Sequence, residues 1–275
     1  MRRRLAFAAL LCVASAAAKS QPVVADGPEG IDSGYSEYLA QVLKNGSPAQ
    51  AAASEPARLT ITCVSTANAD RYVGMIQQQS IDAPIAAVAE VLDDIDHYHD
   101  LFPGTVKVHV REGSLRVDAS RPGSMLFSTA WVQRAPIPFL PAIRFEMSHL
   151  VEKAPTRIVY RYKLLRGDKL IASDGFVVLE AIGAARTRFT EYDFFDGHWG
   201  PLPTWLVWKE SLKGAYHSDL AVRFKAEQPT WSYARIAAES ERLTAAESER
   251  LERCFAERRI GLRSAAPAKA AAGAR

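Results

Sequence analysis

The sequence DHYHD at residues 96–100 is a dense group of side chains that could do chemistry in this 275-residue chain. His97 and His99 could bind a metal ion if they alternated along a strand, because alternate strand residues share one face. The surrounding pattern predicts a short helix instead, and residues two apart on a helix point away from each other. The cluster therefore predicts a polar surface at a helix break, and no metal site.

Acidic residues that lie on or beside predicted strands are a second source of chemistry. They are Asp168, Asp174, Glu180, Glu191, Asp193 and Asp196. A carboxyl group inside an apolar cavity would have a raised pKa and could act as an acid in a cyclisation or dehydration. Glu191 and Asp193 share one strand face and are the best candidates. We prefer to place these acids on the solvent side of the sheet, so no catalytic residue is predicted.

Known catalytic and cofactor motifs are absent from the sequence. The chain has no glycine-rich phosphate loop, no CxxC pair, no HExxH and no GxSxG. No cofactor is therefore predicted.

Apolar residues alternate with charged or polar residues along several segments, which predicts strands with one apolar face. The residues predicted to face inward are Met125, Phe127, Trp131, Ile143, Phe145, Met147, Tyr160, Tyr162, Val177 and Leu179. This face either packs into a closed core or leaves a cavity for an apolar molecule.

The element order is a strand, two short helices, six strands and a long helix. The first strand covers Tyr72–Ile81, and the helices cover Pro84–Leu92 and Ile95–Leu101. The six strands are predicted at Thr105–Arg111, Ser124–Gln133, Ile143–Lys153, Arg157–Leu165, Ile171–Ala181 and Arg186–Phe195. A further strand is predicted upstream, at Arg58–Thr66.

The long helix, Pro203–Phe224, has one strongly apolar face. Its apolar residues recur at steps of three and four: Trp205, Trp208, Leu212, Ala215, Tyr216, Leu220 and Phe224.

This order, together with several short motifs, resembles the START-like helix-grip superfamily of lipid carriers, plant pathogenesis-related proteins and polyketide cyclases. The motifs are Ser80–Pro84 (SIDAP), Val91–Asp94 (VLDD), Tyr98, Leu101–Gly104 (LFPG) and the strand Val106–Val110. The resemblance covers roughly Arg71–Ala226. It implies an α+β fold in which a curved seven-stranded antiparallel sheet wraps around the long C-terminal helix, with two short helices after the first strand.

The resemblance also implies that a hydrophobic ligand lies between the sheet and the long helix. It supplies no shared catalytic residues. The expected ligand-binding residues are Phe127, Trp131, Phe145, Met147, Tyr160, Tyr162, Val177, Trp208, Leu212, Tyr216 and Leu220.

Two apolar, proline-rich connections are expected to meet the turn Arg166–Lys169 at one end of the sheet, because alternate connections of an up-and-down sheet share an end. Their apolar residues are Ile137, Phe139, Leu140, Trp199 and Leu202. These residues either plug the core or form a cavity mouth that contacts a membrane transiently.

The first residues predict export. Arg2–Arg4 precede the apolar run Leu5–Val13, and small-residue cleavage sites follow, so residues 1–18 read as a signal peptide. We divide the remainder into an N-terminal extension (19–70), a START-like domain (71–226) and a helical C-terminal extension with a disordered tail (227–275). The expected location is the bacterial periplasm or the exterior.

Removal of the signal peptide changes the charge and the cysteine count. The chain has 34 basic and 31 acidic residues, so loss of Arg2–Arg4 lowers the formal charge from +3 to zero. Neutrality gives no reason to expect nucleic acid as a partner. The remaining cysteines, Cys63 and Cys254, either form a disulfide or stay as buried thiols.

Three functions remain open. The first is a carrier or binder of a lipid, sterol-like or polyketide molecule. The second is a cyclase or dehydratase that acts on such a molecule, and the third is an interaction protein with a filled core. An inward buried carboxylate or histidine would favour the enzyme, and a smooth aromatic cavity would favour the carrier. The oligomeric state is left open.

Overall fold

The computed structural model describes residues 59–64, 72–117, 123–135, 141–197 and 204–257. The predicted signal peptide lies outside the described residues. So do all five predicted mouth residues, which are Ile137, Phe139, Leu140, Trp199 and Leu202.

The described residues form one antiparallel sheet of nine strands. In chain order the strands are β1 (Thr60–Val64), β2 (Tyr72–Ile81), β3 (Thr105–Val110), β4 (Arg116–Val117), β5 (Ser124–Gln133), β6 (Ile143–Ala154), β7 (Arg157–Gly167), β8 (Leu170–Ile182) and β9 (Arg186–Gly197). Their order across the sheet is β1-β2-β9-β8-β7-β6-β5-β3, and β4 pairs with β5.

The sheet has two strands more than the seven predicted. Strand β1 follows the predicted segment Arg58–Thr66, which we assigned to the N-terminal extension, but it pairs with β2 along its whole length. Strand β4 has only two residues, too few for an alternating pattern. Register shifts in β3, β7 and β8 mark bulges that bend the sheet.

The helices follow the predicted places. They are α1 (Ile85–Asp93), a 3₁₀ turn (Ile95–His97), α2 (Tyr98–Leu101), α3 (Thr204–Glu227), α4 (Tyr233–Ala246) and α5 (Ser248–Glu257). Within the described ranges, none of these helices is long and apolar enough to cross a membrane.

Cross-strand partners share a face of the sheet, so the register defines which residues face the helices. Gln77 lies opposite Glu191, which lies opposite Val177, which in turn lies opposite Tyr160. We call this side the inner face. The register of β5 to β8 agrees with the predicted inward residues, including Trp131 opposite Phe145.

One half of the inner face is a closed core beneath helix α1. Val88 and Leu92 of this helix pack with Ile158, Leu179 and Phe189 of the sheet, and all five side chains are buried. Burial of side chains of this size stabilises the fold by about 1.5–3 kcal/mol each.

The apolar stripe of the long helix α3 does not face this core. Trp208 and Leu212 pack with Met75 and Cys63 at the β1–β2 edge. The next turns of the helix carry Tyr216 and Leu220, which pack with Leu59 and with Leu251 of α5. The C-terminal helices and β1 therefore cover the most apolar stripe of α3.

A disulfide joins Cys63 of β1 to Cys254 of α5, with their Cα atoms 5.6 Å apart. Both residues lie in the cluster that contains Trp208 and Leu212. The bond thus fastens the edge strand to the last helix, across the side of α3 that faces away from the closed core.

Removal of this bond should destabilise the fold. The double variant Cys63→Ala/Cys254→Ala should lose about 2–5 kcal/mol of unfolding free energy, because a cross-link 191 residues apart restricts the unfolded chain. Urea unfolding of the oxidised protein, the reduced protein and the variant measures this loss. We expect the last two to coincide, and equal stability of all three would contradict the bond.

Candidate functional site

Aromatic side chains line the inner face of β5 and β6 near the connection between these strands. Trp131 stacks on Phe145 with ring centroids 5.7 Å apart, and Phe127 stacks on His149 at 4.8 Å. Tyr98 of helix α2 lies beside them, with its ring centroid 5.8 Å from that of Trp131. All five stay partly exposed although they face inward. This half of the inner face is therefore open, whereas the half beneath α1 is closed.

A hydrogen-bonded chain connects Trp131 to His149. Trp131 Nε1 donates to Thr129 Oγ1 at 2.7 Å, and Thr129 Oγ1 lies 2.7 Å from His149 Nε2. The threonine hydroxyl has two acceptor lone pairs, so it can accept from Trp131 and either donate to the histidine or accept from it. Burial lowers the pKa of His149 to about 4. The ring is therefore neutral at neutral pH.

A pair of hydrogen-bonded carboxyl groups, Glu191 of β9 and Asp219 of α3, connects the sheet to the long helix. Gln77 Nε2 donates to Glu191 Oε2 at 3.1 Å, and the Tyr162 hydroxyl donates to Glu191 Oε1 at 3.2 Å. Gln79 Nε2 donates to the main-chain carbonyl of Asp219 at 2.8 Å, which fixes this turn of the helix against β2.

A glycine on β8 gives Tyr162 the space to reach Glu191. A Cβ atom at Gly175 would lie 2.5 Å from the Tyr162 hydroxyl and 2.4 Å from the Tyr192 carbonyl oxygen. Tyr162 lies directly opposite Gly175 in the register. Any larger residue at this position would displace the tyrosine that binds the carboxylate.

Both carboxyl groups are harder to ionise than a carboxyl group in water. Burial raises the pKa of Asp219 well above its usual value, and the negative charge and hydrogen bond of Glu191 raise it further. Burial also raises the pKa of Glu191, but hydrogen bonds from Asp219, Tyr162 and Gln77 oppose that rise. Asp219 is therefore the member of the pair that holds a proton more strongly.

Four of the expected ligand-binding residues come together in the open half. Phe127, Trp131, Phe145 and Tyr162 share the inner face of β5, β6 and β7 and keep partial exposure. Met147 and Val177 lie on the same face and are buried.

Tyr160 belongs to the closed half. Its single hydroxyl proton faces two acceptors, Asp93 Oδ1 at 3.1 Å and the Ala89 carbonyl at 3.3 Å, and Asp93 also binds Lys153. Burial and the charge of Asp93 raise the pKa of Tyr160. The residue fastens α1 to the sheet.

The expected helix contacts are placed elsewhere, which corrects our picture of α3. Trp208, Leu212, Tyr216 and Leu220 pack against β1, β2 and the C-terminal helices. The side of α3 that meets β2 and the core beneath α1 carries Asp219, Val222 and Ala226 instead. The apolar stripe of α3 is therefore buried by β1, β2 and the C-terminal helices and does not face the open half of the sheet.

The preferred location of the strand acids is wrong for Glu191 and Asp193. Their register positions, opposite Gln77 and Met75, put both on the inner face. Asp174 and Glu180 do lie on the outer face, where Glu180 pairs with Arg157 and Arg188. Burial raises the pKa of Asp174 to about 6, although the nearby charges of Lys163 and Arg161 lower it.

The DHYHD cluster forms polar contacts at the helix break. His97 Nδ1 lies 2.7 Å from Asp94 Oδ2, and its ring stacks on Tyr233 of α4 at 4.9 Å. His99 lies near Asp100. In the part of the chain that the structure describes, no group of three His, Cys, Asp or Glu side chains could hold a metal ion.

Sequence reasoning missed Asp219, Gln77, Gln79 and His149. A signal existed for the first three: a polar QQQ run interrupts strand β2, and an aspartate lies in the apolar part of α3 (GAYHSDLAV). A buried polar residue in an apolar pattern marks either a structural network or a site.

Comparison with known proteins gives the class of fold. No family model matches the chain, and no curated protein matches it. The solved STAR-related lipid transfer protein from Xanthomonas axonopodis superposes with a TM-score of 0.51 at 16% identity, covering 64% of this chain and 97% of that one. The chain has the START-like helix-grip fold, as the sequence predicted.

Two further solved structures are similar at lower scores. A START superfamily protein from Mycobacterium smegmatis gives a TM-score of 0.44 at 15% identity, covering 58% of this chain and 99% of that one. The Zhui aromatase/cyclase from Streptomyces sp. R1128 gives 0.36 at 18% identity, covering 65% and 94%.

The lowered pKa of His149 predicts how the stability of the protein depends on pH. Below pH 6.5 the unfolded histidine takes up a proton, but the folded one does so only near pH 4. Wild type should therefore lose about 3 kcal/mol relative to His149→Gln between pH 7 and pH 4. Urea unfolding of both proteins across this range measures the difference, and a difference that stays constant would contradict a ring that remains neutral in the folded protein.

Proposed function

We propose that this protein binds one hydrophobic small molecule in the open half of its inner face, between the sheet and helix α2. The observation that carries the proposal is the partial exposure of inward aromatic side chains, Trp131, Phe145 and Tyr98 among them. Native cores are close-packed, so aromatic rings that face inward and stay partly exposed mark a place for another molecule.

The strand pairing supports a ligand entrance at one end of the sheet. Gln133 pairs with Ile143, and Leu170 pairs with Gly197, so the strand ends that flank the two apolar connections lie at the same end of the sheet. We propose that Phe139 and Trp199 in these connections form the mouth and contact a membrane when the ligand passes.

We also propose that the chain is exported and carries its ligand in the periplasm or outside the cell. The support is the pattern of residues 1–18 and the disulfide between Cys63 and Cys254, since such bonds persist in oxidising compartments.

Binding is testable with the neutral fluorescent probe N-phenyl-1-naphthylamine and the full chain. Wild type should bind the probe with a fluorescence increase, and Phe145→Asp should weaken binding at least about tenfold, because a carboxylate would enter an apolar site. Leu126→Asp is the matched control, since Leu126 is an exposed apolar residue on the opposite face of the neighbouring strand. Equal affinity of all three proteins would contradict the site, provided that circular dichroism shows them folded.

A second function, dehydration of the bound molecule, is favoured by the carboxyl pair. Glu191 could take a proton from the carbon beside a carbonyl while protonated Asp219 gives its proton to a leaving β-hydroxyl group. One C–H and one C–O bond would break, a C=C bond would form and water would leave. The proton on Glu191 would then return to Asp219.

Enzymatic action is tested by incubation with a medium-chain β-hydroxyacyl thioester. Mass spectrometry would show the loss of water, and Glu191→Gln should abolish it. If the thioester binds but its mass does not change over many hours, the protein binds the molecule without dehydrating it.

A further inference from the structure

We infer that the N-terminal extension packs on the outer face of the sheet, with residues 36–43 as a short amphipathic helix over strands β2, β9, β8 and β7. This docking surface lies on the side of the sheet opposite the proposed ligand site and does not depend on it. Three observations support the docking: the burial of the outer face, the location of the described helices and the sequence of the extension.

An apolar patch lies at the centre of the outer face. The register places six of its side chains in two neighbouring rows across four strands, which are Ile76, Tyr192 and Phe176 in one row and Thr190, Val178 and Val159 in the other. All six are buried, and we call them the outer patch.

The burial of the outer patch is too complete for a sheet face in contact with water. Phe176 exposes only 4% of its surface and Tyr192 only 1%, and their rings stack at 4.4 Å. Cross-strand neighbours cover the edges of such rings, but a solvated sheet face leaves the tops of its side chains exposed. An apolar sheet face is buried by a second layer of structure. The outer patch therefore has a cover.

The described helices make their contacts with the sheet on the inner face. Helix α1 packs with Leu179 and Phe189, and helix α3 contacts Met75 and Gln79. Helix α5 is joined to Cys63, which lies opposite Met75 and so on the same face. Helix α4 packs mainly on the other helices. The cover of the outer patch is therefore a part of the chain outside the described ranges, or another molecule.

The N-terminal extension can reach the outer patch. It leads into β1, the edge strand beside β2, and the outer patch begins on β2. Strands lie about 4.8 Å apart, so the far side of the outer patch on β7 is about 20 Å from β1. The roughly 15 residues between residue 43 and Leu59 can span up to about 50 Å. The length of the chain thus permits this docking.

The other parts of the chain outside the described ranges fit the outer patch less well. Residues 258–275 follow α5 on the inner side, and their large apolar residues are only Ile260 and Leu262. The internal connections at 65–71, 118–122, 136–140 and 198–203 join the ends of strands, whereas the outer patch lies at the middle of β8 and β9.

The sequence of residues 36–43, SEYLAQVL, has the pattern that a cover requires. Its apolar residues recur at steps of three and four, which predicts a helix with one apolar side. They are Tyr38, Leu39, Val42 and Leu43. Such a helix is about 12 Å long, close to the width of the outer patch across its four strands. A helix this short is marginal in water, so it needs a surface to pack on.

The test measures thiol accessibility in the full chain. Cys12→Ser removes the cysteine that lies outside the disulfide, and Val178→Cys then places a single thiol in the outer patch. Its reaction with a maleimide should be at least about tenfold slower than that of Leu126→Cys, because a covered thiol reacts only after local opening. Leu126 is the reference because it is exposed on the same face.

Variants in the extension identify the cover. Leu39→Asp/Val42→Asp should accelerate the reaction of the Val178→Cys thiol at least about tenfold, because two carboxylates would enter the apolar contact. Ala40→Asp/Gln41→Asp is the matched control, since it adds the same charges to the opposite side of the predicted helix. It should leave the rate within about threefold. Circular dichroism checks that each variant is folded.

Hydrogen exchange of the unmodified chain gives a second measurement that needs no variant. The amides of residues 38–43 should exchange at least about tenfold more slowly than those of an unstructured peptide. Exchange at the unstructured rate would overturn the inference.

The thiol measurements can overturn it in three further ways. Equal reaction rates at positions 178 and 126 would show that the outer patch has no cover. Protection that persists in folded Leu39→Asp/Val42→Asp would assign the cover to another segment. Protection that is lost on dilution would assign it to a second copy of the chain.

Discussion

The attachment of helix α3 to one side of the sheet determines how the rest of the molecule is arranged. Gln79 binds the Asp219 carbonyl at 2.8 Å, and the Asp219 carboxyl binds Glu191, so a single turn of the helix is fixed over β2 and β9. The apolar stripe of α3 is then turned toward β1, α4 and α5, and the disulfide holds that side together. Strands β5 and β6 lie on the far side of the sheet, where Tyr98 of the short helix α2 approaches their aromatic residues.

This asymmetry explains why one inner face has two halves of different character. Helix α1 closes the half that contains Ile158 and Leu179, and that half resembles any protein core. The other half combines partly exposed aromatic rings with a pair of hydrogen-bonded carboxyl groups. The desolvation of an ionised carboxylate is costly, so a buried pair of acids is an expensive way to attach a helix. Because Tyr162, which binds Glu191, keeps partial exposure, the pair that attaches α3 also borders the open half.

The sequence predicted the elements with strong periodicity and missed what depends on tertiary neighbours. Strands β5 to β8 and both short helices follow their alternating or helical patterns closely. The face of Glu191 was predicted wrongly because β8 and β9 are apolar on both sides: Phe176 stacks on Tyr192 at 4.4 Å on the outer face. Alternation indicates the inner face only when the other face meets water. The apolar stripe of α3 led to a wrong expectation for a related reason. The sequence pattern shows that one side of the helix is buried, but it does not show which element buries it.

The location of the bound molecule is the central claim, and a crystal structure of the protein with N-phenyl-1-naphthylamine tests it most directly. We predict that the naphthyl ring lies on the inner face between Tyr98, Trp131 and Phe145, with the carboxyl pair within reach of the same space. Electron density for the probe only on the outer surface, with the side chains of Phe145 and Tyr162 filling the interior, would contradict the claim.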